Sequence, residues 1–147
     1  MITSVICSGC FDILHAGHIR LLEEARKLGD TLTVLVNDDA YLKRKGPCRP
    51  IVPLVDRMAV LQALRAVDHV YSFACDNPCH LLYTLQPNIY VKGSEYAGKN
   101  IPEEATMRDI GGKVVYIDSN ILTHSGHIID RIERIIEAQH EQKERQG

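Results

Sequence analysis

Short runs of apolar, β-favouring residues alternate along the chain with stretches of helical periodicity. Residues 3–7 form the first run, and Leu21, Leu22, Ala25 and Leu28 then fall on one helical face. Gly29 stands where a C-terminal cap is expected. Residues 31–36 are apolar on both sides, the pattern of a strand covered on both faces. A loop with Gly46, Pro47 and Pro50 follows, and Pro53 opens a helix whose Leu54, Met58 and Leu61 share a face. Residues 69–73 predict a third strand, 78–85 a short helix, and 88–91 and 113–117 two further strands. The last helix carries Ile128, Ile129, Ile132, Ile135 and Ile136, and past Glu137 the polar chain is expected to fray. This alternation predicts an α/β domain over residues 1–136, a parallel five-stranded sheet with helices on both faces, and a polar C-terminal tail over 137–147. Ligands of such sheets bind beyond the carboxyl ends of the strands.

Composition narrows the function classes. The length of 147 residues suits one domain. Seventeen Lys and Arg against nineteen Asp and Glu give a net charge of −2, which speaks against bulk attraction to nucleic acid or a membrane surface. Trp is absent and aromatics are 5%, too few for a base-stacking platform. No signal peptide and no spanning segment are evident. Five Cys, an odd number without framework spacing, suit reduced thiols in a cytoplasm.

The loop after the first strand holds the densest chemistry: Gly9, Cys10, Phe11 and Asp12, then His15, Ala16, Gly17 and His18 at a helix start. Gly9 suits a tight strand exit, and Gly17 lets a ligand approach the backbone closely. A helix N-terminus suits a phosphate, and imidazoles there can donate to oxygens that gain charge in a transition state. Two surface histidines on a turn, or a pair sharing a metal, are the competing readings.

These residues resemble the signature of the cytidylyltransferase-like nucleotidyltransferases. Within them, the chain is similar to the heptose 1-phosphate adenylyltransferases and to the glycerol-3-phosphate cytidylyltransferases. The resemblance runs over about residues 1–136 and includes residues 21–30, Arg49-Pro50, Asp56-Arg57 and Val91-Lys92-Gly93. It implies a Rossmann-like domain that joins a nucleoside triphosphate to a phosphorylated small molecule with Mg²⁺ and releases pyrophosphate. His15 and His18 would then contact the triphosphate, without a covalent enzyme intermediate. It implies a homodimer as well.

A basic run of Lys43, Arg44, Lys45 and Arg49 follows the second strand. Its alternative is a solvated surface loop. By resemblance, Lys43 or Lys45 reaches the phosphates, and Arg57 lies near the triphosphate, where a guanidinium suits phosphate oxygens. A surface pairing of Asp56 with Arg57 is the blander alternative. Lys92 and Gly93, followed by Glu95 and Tyr96, are similar to the heptose-type enzymes and favour a sugar 1-phosphate; so do Ile101-Pro102-Glu103 and Gly111-Gly112.

After the fifth strand the family's Ser-Thr-Thr segment is replaced by Thr123, His124, Ser125, Gly126 and His127. Ser119 stands where glycerol-phosphate enzymes carry an arginine. Thr123, Ser125 and His127 are candidate nucleotide contacts. His124 and His127 repeat the His-x-Gly-His spacing, as a second set of phosphate donors, as an ordinary Ser/Gly-rich cap, or as part of a four-histidine metal site. Cys7-x-x-Cys10 and Cys75-x-x-x-Cys79 lack the joint spacing of a zinc site, and no resident metal is expected. The expectation is a nucleotidyltransferase that joins a triphosphate, ATP first and CTP second, to a sugar 1-phosphate such as D-glycero-D-manno-heptose 1-phosphate. The alternatives are a glycerol-3-phosphate cytidylyltransferase and a catalytically silent nucleotide-binding module.

Overall fold

The computed structural model describes residues 1–118 and 124–147. Five strands form one parallel sheet: β1 (Ser4–Gly9), β2 (Thr31–Asn37), β3 (His69–Phe73), β4 (Ile89–Gly93) and β5 (Lys113–Ile117). The order across the sheet is β3-β2-β1-β4-β5. The chain therefore steps outward from β1 on one side and returns to its other side at β4. That reversal splays the loops beyond β1 and β4 and opens a crevice between them.

Side-chain alternation sorts the core into two layers. Val5, Cys7, Val34, Val36, Ile89 and Val91 bury one sheet face under Leu22 and Ala25 of α1 (Ala16–Arg26), with Leu61 of α3 (Leu54–Gln62). Ile6, Leu35 and Tyr90 bury the other face under Leu82 of α4 (Cys79–Leu85) and Met107 of α5 (Pro102–Asp109). Successive strand residues point to opposite faces, so both layers come from the same strands.

Several local details differ from the periodicity. A short helix, α2 (Asp39–Lys43), opens what was expected to be loop, because the Asp38 side chain accepts from Tyr41 N–H at 2.9 Å and caps it. Gly29 is not a left-handed cap. It allows close approach, since a Cβ there would lie 2.6 Å from Thr3 O and 2.7 Å from Val5 Cγ2. Leu28 lies past the end of α1 and is exposed. The last helix, α6 (Ser125–Gln146), does not stop at Glu137 but runs through the polar tail. Its Ile132, Ile135 and Ile136 are exposed. No helix of the described residues is long and apolar enough to cross a membrane.

Candidate active site

A cavity of about 490 Å³ lies at the carboxyl ends of β1 and β4. Gly9, Cys10, Phe11, Asp12 and His18 line it from the β1–α1 side. Lys92, Gly93 and Glu95 line it from the end of β4 and the turn after it, Lys45 from the segment after α2, and Ser125 from the start of α6. The strand order thus gathers ten of the sequence candidates onto one rim.

The β1–α1 turn is built around two imidazoles. His15 is the N-cap of α1; its Nδ1 accepts Gly17 N–H at 3.0 Å. His18 reaches back, and its Nδ1 accepts His15 N–H at 3.2 Å. The pair forms a capping box made of histidines, with ring centroids 3.8 Å apart. Because each Nδ1 accepts a backbone proton, each neutral ring carries its own proton on Nε2. Burial pushes His18 down to about 4, and the neighbouring His15 adds to the shift. Burial lowers His15 too, followed by repulsion from His124. Near neutral pH both rings are therefore uncharged Nε2–H donors. Gly17 is buried, and of these three residues His18 lines the cavity whereas His15 and Gly17 do not.

Phe11 orients this turn. Its φ is +50°, in the left-handed region that costs a bulky residue about 1–2 kcal/mol. The ring is buried in the core, 5.1 Å from the His18 ring. Gly9 leaves room for it, since a Cβ there would stand 3.0 Å from the Phe11 ring.

Two charged candidates hold loops in place. The buried Asp12 carboxylate accepts Val52 N–H at 2.9 Å and Ile51 N–H at 3.0 Å, and pairs with Arg49 at 2.7 Å. Burial raises its pKa, but these donors outweigh burial and hold the carboxyl below its usual value. Asp12 touches the cavity while its oxygens serve the 49–52 loop. Arg57 is not at the cavity. It is 2% exposed, and its guanidinium donates to Val52 O, Cys10 O, Asn37 O and Asp39 at 2.7–2.9 Å. Arg57 was expected near the triphosphate; each of its guanidinium nitrogens meets an acceptor and ties α3 to the segments at the ends of β1 and β2. Its acidic partner is Asp39, not Asp56.

The basic run divides. Lys45 lines the cavity near the Tyr41 ring, whereas Lys43 is exposed elsewhere. Arg49 lines the cavity and Arg44 pairs with Asp76 at 2.6 Å. Lys92 sits 4.4 Å above the Tyr96 ring, and the Glu95 carboxyl folds back over Gly93, into the space a Cβ there would take. Of the second histidine pair, Ser125 reaches the cavity; the His124 and His127 rings lie 5.3 Å apart, edge to face, and His127 does not line it. Thr123 and Ser119 lie outside the described residues. The cysteines are all free, and among the described residues no three His, Cys, Asp or Glu side chains are grouped to hold a metal ion.

Sequence reasoning missed Ser8, Asn37, Tyr41, Asp76 and Glu103 at the cavity. Ser8 was within reach, since it ends the strand that carries the motif. Tyr41 depended on the unforeseen α2, and Glu103 on α5, whose Pro102 at the first helical position was the available signal.

A helix-capping histidine pair at the switch point of a parallel sheet defines a class of nucleotide-handling α/β domain. The chain belongs to the cytidylyltransferase-like family, whose model matches residues 6–132. It is 49% identical over 125 residues to the Bifunctional protein HldE of Streptomyces coelicolor, covering 82% of this chain and 27% of that protein. The Bifunctional protein HldE of Hahella chejuensis is 49% identical over 115 residues, 78% of this chain and 24% of that protein. The chain thus spans about a quarter of the length of these curated relatives. A lipopolysaccharide core biosynthesis protein from Thermoplasma volcanium superposes with a TM-score of 0.68 at 30% identity, covering 80% of this chain and 98% of that one.

Proposed function

We propose that this chain is a nucleotidyltransferase that joins a nucleoside triphosphate, taken as ATP, to a sugar 1-phosphate of the heptose type and releases pyrophosphate. The observation that carries this reading is the pair of neutral Nε2–H donors that His15 and His18 present at the N-terminus of α1, His18 at the cavity wall. The relatives support it, as does the Lys92-Gly93 segment at the other wall.

In the proposed reaction, an oxygen of the sugar phosphate attacks the α-phosphorus. A new P–O bond forms as the bond to pyrophosphate breaks, and the departing electron pair leaves with pyrophosphate. Negative charge spreads over the phosphoryl oxygens on the way. Uncharged imidazoles that are already oriented donate to those oxygens without reorganising. Lys45 and Lys92 supply positive charge from opposite walls. Arg57, Asp12 and Phe11 hold the loops that place these groups, so that positioning and electrostatics carry the catalysis. The triphosphate enters as its Mg²⁺ complex, since magnesium is commonly held by substrate phosphates with few protein ligands. A homodimer and a cytoplasmic location belong to the same proposal, the latter supported by five free thiols.

Pyrophosphate release with ATP or CTP, paired with heptose 1-phosphate or glycerol 3-phosphate, tests the reading. Release is expected with ATP and the sugar phosphate. Nucleotide binding without release from any pair would leave a silent binding module instead. Sedimentation of the purified chain tests the dimer.

A further inference from the structure

Beneath the β4 side of the cavity lies a polar cluster that the proposed transfer step does not use. Ile6 and Tyr90 are register partners, which puts the Tyr90 and Ser8 side chains on the same face of the sheet. Their hydroxyls share a hydrogen bond of 2.5 Å. The Tyr90 hydroxyl also lies 3.3 Å from Glu103 Oε1, to which it donates. Lys92 Nζ stands 3.7 Å from that same oxygen. Glu103, in the first turn of α5, is 4% exposed and lines the cavity.

Both contacts fall on Oε1, and Oε2 has no partner among the described residues. No fully buried side-chain oxygen or nitrogen of the described residues lacks a partner. Oε2 is therefore not sealed inside the protein, and Glu103 borders the cavity. A carboxylate held this deep is costly unless a donor meets it, and it can only accept. It repels a phosphate, and Lys92 beside it repels a cation. A neutral donor fits, and an alcohol hydroxyl is the one that both substrates of the proposed reaction carry.

We propose that Glu103 is a specificity-determining residue whose Oε2 accepts a hydrogen bond from a substrate hydroxyl. This rests on the nucleotidyl-transfer reading, in which two hydroxyl-bearing partners enter the site: the ribose of the triphosphate and the sugar phosphate. Equilibrium titration of the full chain separates them. One arm compares ATP with 2′-deoxy-ATP and 3′-deoxy-ATP. The other compares aldose 1-phosphates with their deoxy analogues in the presence of a non-hydrolysable ATP analogue.

One deoxy ligand, in one arm, is expected to bind about ten- to a hundredfold more weakly than its parent, the scale of a hydrogen bond to a charged group. Glu103→Gln is expected to shrink that difference, because a neutral amide replaces the charged acceptor. Tyr90 and Lys92 would hold the amide oxygen and turn its NH₂, a donor, toward the cavity. If every deoxy ligand binds the wild-type chain as tightly as its parent, the proposal is overturned, whether or not the variant folds. A hydroxyl preference that survives Glu103→Gln undiminished overturns it as well. Loss of pyrophosphate release with the preference intact overturns the transfer reading alone. Absence of ATP binding overturns both.

Discussion

His18 accepts the backbone N–H of His15 on Nδ1 at 3.2 Å, so the ring that faces the cavity is also a cap of the helix that carries it. His18→Ala is expected to lower kcat by about a hundredfold or more, the usual cost of one preorganised oxyanion donor, with a smaller change in KM for the triphosphate. Steady-state kinetics check this, and wild-type turnover would refute the role.

The same ring makes stability depend on pH. Its folded pKa of about 4 lies below the ordinary 6.5, so between those values the unfolded chain binds a proton that the folded chain does not. Stability is therefore expected to fall as pH drops from about 6.5 to about 4, with His15 contributing in the same direction. His18→Gln should flatten that slope. Denaturant melts at pH 7 and pH 5 measure it, and an unchanged slope would show the burial of His18 to be unimportant.

Arg57→Met is expected to cost about 3–5 kcal/mol, because it removes a buried charge and leaves the Cys10 and Asn37 carbonyls without their donor. Activity should decline together with the melting temperature. A variant that melts like wild type but has lost nucleotide affinity would restore Arg57 to direct ligand contact.

Asp12→Asn leaves the Arg49 guanidinium without its charge partner and weakens the anchoring of Ile51 and Val52 N–H. A loss of about 1–3 kcal/mol is expected, the range for hydrogen bonds to charged groups. The depressed carboxyl stabilises the fold above its unfolded pKa of 3.8, and that contribution disappears as pH falls through its lower folded value. The wild type should thus outlast Asp12→Asn least in strong acid, as thermal melts down to pH 2 would show.

Lys45 and Lys43 are two residues apart, yet one lines the cavity and the other does not. Lys45→Ala should raise KM for the triphosphate by about tenfold, the order of one charge-assisted contact, whereas Lys43→Ala should leave it within about twofold. Equal effects would place the phosphate contact away from Lys45.

The sheet was legible because its information is local. Runs such as residues 31–36 are apolar on both sides, and a parallel strand buried on both faces demands that. The cavity's position followed from chain order. What the pattern hid was the difference between lining the cavity and holding a loop. Arg57 and Lys45 are both cations in strand-end segments, and only the carbonyls that converge on Arg57 from Cys10, Asn37 and Val52 separate them. Those carbonyls are up to 47 residues away in sequence. Helix α2 escaped notice for a similar reason: five residues are too few to show a period, and its start depends on one Asp38 cap. Gly29 was read as a cap, although its neighbour across space is the backbone of Thr3.

Helices α1 and α6 bring their N-terminal ends to the same cavity, through His18 and Ser125, and His124 lies near enough to His15 to disturb its charge. Each helix end carries roughly half a positive elementary charge from its aligned peptide dipoles. Peptide groups do not titrate. Part of the cavity's attraction for anions is therefore independent of pH and of any Lys or Arg. An anion should still find this pocket after every cationic side chain around it has been neutralised, in a chain whose overall charge is −2.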